Sequence, residues 1–285
     1  MYPKYDFHIH TTCSDGIDSP TRVVKKAYKS GLEAIAITDH DSIDAWEEGT
    51  DAADEYGIKL ILGTELSVWH KFLPDNVREL HILGYNFDPD YKPLKKYLDS
   101  VEQKKLDRAK LIMENVNLNL GKKNWPPISD GEIEKMVKST CGMFGLPSIG
   151  KYLVEQGYAA NEKIAYEEFT KDCRVVNGFV HLPEACNMIR KAGGFSSLAH
   201  PYNSARTLYR QSQPDVEKLV RQVAPFVCSI EAYCYSQSHE EINNLLSLAK
   251  KYDLRITGGS DHHRGNRLGS VNIPKSVLDY MLERN

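Results

Sequence analysis

The chain has no Cys-x-x-Cys pair, no apolar stretch of 18 residues and no marked excess of charge of either sign. Each absence closes a class of protein. Its six cysteines, Cys13, Cys141, Cys173, Cys186, Cys228 and Cys234, lack the spacing of a zinc knuckle and stand beside nothing that marks export. They read as reduced, mostly buried thiols. Without a long apolar run, no membrane-crossing helix is expected. The start, Met1-Tyr2-Pro3-Lys4-Tyr5-Asp6, has no apolar signal core, so a cytoplasmic protein is expected. A formal charge of −3 argues against a surface built for duplex nucleic acid and leaves room only for a local basic pocket. Strand patterns are also missing from about residue 90 to 180.

What the chain does have is alternation of strand and helix on both sides of that gap. Ser19-Pro20 opens a helix with the apolar stripe Val23, Val24, Ala27 and Tyr28, and Gly31 stops it. Ser42 is expected to cap a second helix running to Gly57. Strands are expected to end at His10, His40 and near Glu65, with a fourth over Leu80–Phe87. Beyond the gap come a helix from Pro183 to Ala192 and strands at Phe195–Ala199, Val227–Tyr233 and Arg255–Gly259. Ser129 with Glu132, and Ser238 with Glu241, have capping-box spacing, while Pro147 and Asn161 open short helices. The pattern predicts an α/β fold, a parallel, TIM-like barrel of about seven units (residues 1–89 and 181–285) interrupted by a helical insertion at 90–180. An open doubly wound sheet is the competing architecture.

The strand ends carry the chemistry. In a strand, residues i and i+2 face the same side, so His8 and His10 can chelate one cation, and Asp261 with His263 repeats the geometry near the other end of the chain. Asp39-His40 closes a third run. One His-x-His is weak evidence; two such pairs at strand ends, with Asp-His after another, predict a metal site assembled by a barrel.

These motifs resemble the polymerase and histidinol phosphatase (PHP) superfamily of metal-dependent phosphoesterases. The resemblance spans nearly the whole chain through His8-x-His10 with Asp15, Thr38-Asp39-His40, Gly63-Thr64-Glu65, His81, Ala199-His200-Pro201 and Ser260-Asp261-x-His263. It implies a distorted (β/α)7 barrel with two or three divalent metals. His8, His10, Glu65 and Asp261 would hold the first, and Glu65 would bridge to a second held by His81 and His200. Asp15, His40 and His263 would hold a third. Mixed imidazole and carboxylate donors suit Mn²⁺, Zn²⁺ or Fe²⁺. The implied reaction is hydrolysis of a small phosphorylated metabolite, a nucleotide or sugar phosphate, with release of inorganic phosphate.

Within that implied site, Glu65 and His263 are assigned to catalysis as well as ligation. Asp39 can supply a proton or, preferably, orient a ligand histidine; Glu231 can serve similarly or be a solvated charge. Arg206, Arg264 and Arg267 follow ligand candidates in loops and are expected to bind substrate phosphate. His262 faces away from its neighbours and stays outside the metal set, and His70, His181 and His239 are expected in solvent. The chain has Gly145-Leu146-Pro147-Ser148-Ile149 where many bacterial relatives have Gly-Arg-Pro-His-Ile, so their substrate is not carried over. A cyclic phosphodiester is the nearest alternative substrate. An amidohydrolase is disfavoured by the lack of a bridging lysine between Glu65 and His200, and processing of oligonucleotide ends is a further alternative.

Overall fold

A computed structural model of the chain describes residues 4–73, 80–139, 145–173, 175, 179–209, 215–265 and 267–283. The first elements are β1 (Lys4–Ile9), α1 (Pro20–Lys29), β2 (Leu32–Ile37), α2 (Trp46–Tyr56), β3 (Lys59–Trp69) and β4 (Leu80–Tyr85). Helices follow: α3 (Lys92–Asp99), α4 (Val101–Gly121), α5 (Asp130–Ser139), α6 (Leu146–Glu155) and α7 (Glu162–Ala165), the last running into a π-helical stretch, Tyr166–Thr170. Then come β5 (Val180–His181), α8 (Leu182–Lys191), β6 (Phe195–Leu198), α9 (Pro201–Tyr209), α10 (Val216–Val223), β7 (Ser229–Cys234), α11 (His239–Lys251), β8 (Arg255–Gly259) and α12 (Lys275–Leu282).

The strands lie in the order β1-β2-β3-β4-β6-β7-β8, with the short β5 beside β3. A parallel bridge from Ile9 to His262 brings the two ends of the sheet together, giving a nearly closed seven-stranded barrel in an α/β fold. The close approach of β8 to β1 depends on Gly259, where a Cβ would lie 2.2 Å from His8 Cβ and 2.3 Å from its nitrogen.

The barrel is not wholly parallel, contrary to the sequence expectation. β4 runs antiparallel to both β3 and β6. The cause is the short link from Trp69 to Leu80, because a parallel return needs a crossover of about a dozen residues or more. Reversal puts the start of β4, and so His81, level with the ends of its neighbours: Ser67 on β3 faces His81. The helix expected from Ser42 begins instead at Trp46. The Ser42 hydroxyl accepts from the Asp44 N–H at 3.0 Å, a local turn that competes with capping. Ser19 does cap α1, the Ser238–Glu241 box is complete on α11, and Gly57 closes α2 in the left-handed region.

Tyr5 and Phe7 share a core with Tyr85, Phe195 and the α12 residues Val277, Tyr280 and Met281. Full burial of such side chains stabilises by roughly 1.5–3 kcal/mol each. Ile9 belongs instead to the cluster of Val23, Val24 and Ala27 on α1. The pairing of β1 with β2 is irregular between Asp6 and Ile9, where the strand changes faces. That irregularity lets one strand fill the core with its first half and present histidines with its second.

The chain divides into two compact units, residues 1–98 with 180–285, and residues 99–179. The second unit has its own core, built from Ile112, Met113, Val116 and Leu120 on α4, Ile133 on α5, Ile149 and Leu153 on α6, and Phe169. Leu146 and Ile149, both within the altered motif at residues 145–149, are buried in it. No described helix is long and apolar enough to cross a membrane.

Candidate metal centre

Glu65 stands at the middle of the site, fully buried on β3. Its Oε2 lies 3.2 Å from His8 Nε2, 3.1 Å from His10 Nε2 and 3.3 Å from His40 Nδ1. Its Oε1 lies 3.2 Å from His81 Nδ1 and 3.1 Å from His200 Nε2. Asp261 Oδ1 is 3.5 Å from the Nε2 atoms of both His8 and His10. Asp15 reaches His263 Nε2 at 3.2 Å, His10 Nδ1 at 3.5 Å and His40 Nε2 at 3.9 Å. All nine side chains named for metal binding therefore converge. Three groups have donor atoms close enough to share an ion: His10, Asp15, His40 and His263; His8, His10 and Glu65; and His40, Glu65 and His81. His40 thus faces two groups, where the sequence motifs gave it one.

The donor set fits metal ions on two observations. His8 Nε2, His10 Nε2, His40 Nδ1 and Glu65 Oε2 are buried with no hydrogen-bond partner among the described residues. Orphaned polar atoms aimed at one another are costly unless something satisfies them. Their separations also match ligand atoms around a shared ion at about 2.1 Å, which stand roughly 3.0–3.4 Å apart.

Charge follows the same arrangement. Burial favours neutral forms, but His8, His40 and His81 hold Glu65 well below the usual carboxylate range. Asp261 is lowered against burial by His8, His10 and His200, and Asp15 is lowered to about 2, against burial, chiefly by His263. At His10 the two carboxylates Asp261 and Glu65 outweigh burial and raise the ring to about 9. At His40 burial dominates, assisted by His10 and His81, and the ring falls to about 3.

The surrounding residues hold these donors in place. Glu231, buried on β7, puts Oε1 2.9 Å from His8 Nδ1 and accepts the His200 N–H on Oε2 at 2.7 Å. His200 (φ 28°) and Asp261 (φ 53°) sit in the left-handed region, a strained conformation for non-glycine residues that the neighbouring bonds maintain. Asp39 does not contact a ligand ring through its carboxylate, unlike the orienting role expected of it. It accepts the Thr11 N–H at 2.7 Å, the Thr11 hydroxyl at 2.7 Å and the Ser14 hydroxyl at 2.5 Å. It fastens the loop that carries Asp15, and the carboxylate partner of a histidine is Glu231.

Of the three arginines, Arg264 is exposed, and Arg267 lays its guanidinium 4.7 Å from the Tyr235 ring centroid. Arg206 is on α9, and its side chain lies outside the described residues. His239 is exposed as expected. His70 is not: it is buried and stacks on His181 at 4.8 Å, with Phe72 and Phe226 against it. His181 and Phe226, distant in sequence, cover it together with the nearby Phe72. His262 is buried with its Nε2 3.6 Å from Asp18, outside the metal set.

Sequence reading missed Asp6, whose oxygens accept the N–H groups of Ser260 and Gly269, both at 2.8 Å. An acid inside the apolar run Tyr5–Ile9 was the available signal. It also missed Thr11 and Ser14, which no pattern distinguishes from other loop hydroxyls.

Residues 6–182 match the PHP domain. A 5′-3′ exoribonuclease of Haemophilus influenzae is 30% identical over 271 residues, covering 92% of this chain and 91% of the relative. A 3′,5′-nucleoside bisphosphate phosphatase of Chromobacterium violaceum is 26% identical over 264 residues, covering 90% and 86%. A solved structure from Bifidobacterium adolescentis, assigned as a metal-dependent phosphoesterase, superposes with a TM-score of 0.72 at 26% identity, covering 99% of this chain and 96% of that one. With the domain matched over more than half of the chain and the histidine–carboxylate cluster in place, the chain belongs to the PHP domain family and is a metal-dependent phosphoesterase.

Proposed function

We propose that this chain hydrolyses phosphate esters of ribonucleotides, either a nucleoside bisphosphate or the 5′ end of a short single-stranded RNA. The observation that carries the reading is the placement of Glu65, whose two oxygens face two separate sets of histidines. A carboxylate so placed would bridge ions on either side of it. The nucleotide preference is supported by two of the relatives, one named an exoribonuclease and the other a 3′,5′-nucleoside bisphosphate phosphatase.

In this reading His8, His10, Glu65 and Asp261 would hold one divalent ion, Glu65, His81 and His200 would hold a second, and Asp15, His40 and His263 would hold a third. Mn²⁺, Zn²⁺ and Fe²⁺ all suit these donors. Bound ions supply positive charge to phosphate oxygens and acidify water near neutral pH. The chain's own residues set the geometry. Glu231 favours a proton on His8 Nδ1, which leaves the Nε2 lone pair facing Glu65 and Asp261. Asp39 anchors the loop of Asp15 through Thr11 and Ser14. His263, partly exposed beside Asp15, would complete the donors at the rim, its Nδ1 held 3.0 Å from the Asp261 carbonyl, and the exposed Arg264 that follows it is the residue proposed for outlying phosphate.

The test is product analysis with Mn²⁺ on four substrates: adenosine 3′,5′-bisphosphate, a 5′-phosphorylated RNA trimer, a ribose cyclic phosphate and glucose 6-phosphate. Turnover confined to the first two supports the reading. Turnover of the cyclic ester or the sugar phosphate alone overturns it. The variant Glu65→Ala should abolish activity on any of them.

A further inference from the structure

Tyr235 is a large aromatic left 53% exposed, in the loop leaving the catalytic end of β7. Its ring carries the Arg267 guanidinium 4.7 Å from its centroid. Both residues are tied closely to the metal centre. Tyr235 follows Glu231, the partner of His8, by four residues, and Arg267 follows His263 by four. A fully extended chain advances at most ~3.6 Å per residue, so each Cα lies within about 14 Å of the residue it follows. Beside Tyr235 opens a cleft of about 460 Å³, lined also by Tyr233, His239, Asn243 and Asn272. That volume falls in the usual range for a small-molecule site, and the two carboxamides offer donors and acceptors together.

An exposed tyrosine under an arginine has a bland explanation, a surface cation–π pair worth about 0.5–1 kcal/mol. Three features favour a ligand. The ring remains half open although the arginine is already against it. The cleft beside it offers hydrogen-bonding groups suited to the edge of a heterocycle. Chain length keeps the pair within about 14 Å of Glu231 and His263, a span that a nucleotide unit can cover. Sequence reading assigned Arg267 to phosphate, but its guanidinium is engaged with a ring face, an arrangement that bases also use.

We infer that Tyr235, with Arg267, forms a stacking ledge for a nucleobase of the substrate, so that this loop makes the enzyme prefer nucleotides to sugar phosphates. The inference rests on the reading of the substrate as a ribonucleotide ester. Base stacking on an aromatic ring contributes about 1–3 kcal/mol by alanine substitution, or roughly 5- to 150-fold in affinity.

The test measures steady-state constants of the Mn²⁺-loaded wild type, Tyr235→Ala, Tyr235→Phe and Arg267→Ala on the RNA trimer, adenosine 3′,5′-bisphosphate and ribose 5-phosphate. On the preferred nucleotide substrate, Tyr235→Ala should raise KM roughly 5- to 150-fold with kcat nearly unchanged. Tyr235→Phe, which keeps the ring, should stay within about threefold of wild type, and Arg267→Ala should fall between them. Any residual turnover of ribose 5-phosphate should be the same in all four proteins. If the wild type turns over nucleotides and Tyr235→Ala leaves their KM unchanged, or weakens all three substrates equally, the ledge is refuted while the nucleotide reading stands. If the wild type turns over no nucleotide, both fall. Unchanged thermal unfolding of the alanine variant excludes misfolding as the cause of a KM effect.

Discussion

The Glu231 carboxylate lies 2.9 Å from Nδ1 of His8, and its other oxygen accepts the backbone N–H of His200 at 2.7 Å. One buried side chain thus fixes the ring orientation of a donor on β1 and the left-handed backbone of a donor after β6. Both bonds need a carboxylate, because an amide offers only one acceptor atom. Glu231→Gln is therefore expected to lower metal affinity about 10- to 100-fold, as loss of such partners of ligating histidines does. Titration calorimetry with Mn²⁺ on the chelated protein measures this, and an affinity equal to wild type would refute the role.

Asp6 gives a pH dependence of unusual sign. Burial raises its carboxyl from 3.8 to about 6, against the lowering effect of N–H bonds from Gly269, Ser260 and His8. Between those values the folded chain holds a proton that the unfolded chain has released, so this group's contribution to stability falls as pH rises from about 4 to 6. Above pH 6 the cost is constant, on the order of 3 kcal/mol across the shift. Asp6→Asn has no such titration. Urea denaturation of both metal-free proteins should show the variant's stability deficit shrinking as pH rises from 4.5 to 7. A deficit independent of pH would contradict the shift.

Much of this site was legible because strand ends are short-range signals. His8, His10, Asp39-His40, Asp261 and His263 each terminate a local apolar run, and a barrel that collects strand ends collects those residues. His81 held an unused clue: it opens its run, Leu80–Tyr85, instead of closing it. A residue that begins a strand reaches the same end of the barrel only if that strand is reversed, and β4 is. The roles of Asp39 and Glu231 were only half legible: orienting a ligand histidine was preferred for Asp39 and one of two roles for Glu231, and nothing local to Thr38-Asp39-His40 or Ile230-Glu231-Ala232 decides between them. Only the fold decides that one meets Thr11 and Ser14 while the other meets His8. The burial of His70 was hidden for the same reason, because His181 and Phe226 are remote in sequence.

Gly259 is where the sheet closes, and it tolerates no side chain. An added methyl would lie 2.2 Å from His8 Cβ and 2.3 Å from the His8 backbone nitrogen, so no rotamer change relieves the clash. Gly259→Ala should push β8 from β1, disturb the Ile9–His262 bridge and displace Asp261 from the His8 and His10 nitrogens. Overpacking of this kind typically costs 1–3 kcal/mol and more where backbone must move. Denaturant unfolding and Mn²⁺ binding should both worsen. A variant as stable as wild type would show that the close approach does not hold the barrel shut.

Glu65 and Asp15 make opposite demands on metal stoichiometry. Glu65 faces His8, His10 and His40 with one oxygen and His81 and His200 with the other, whereas the described histidines that Asp15 faces are His10, His40 and His263. If Glu65 bridges, Glu65→Ala should lose more than one ion per chain, and Asp15→Ala should lose at most one and keep the pair held through Glu65. Metal analysis of the gel-filtered, Mn²⁺-reconstituted proteins counts the ions directly. Buried histidine rings left facing one another in Glu65→Ala also lose the carboxylate that draws protons to them. His8 and His10 should then titrate at lower pH in that variant than in the metal-free wild type, where Glu231 and Glu65 keep His8 raised against burial and Asp261 and Glu65 do so for His10. Equal metal loss in the two variants would show that Glu65 serves a single ion.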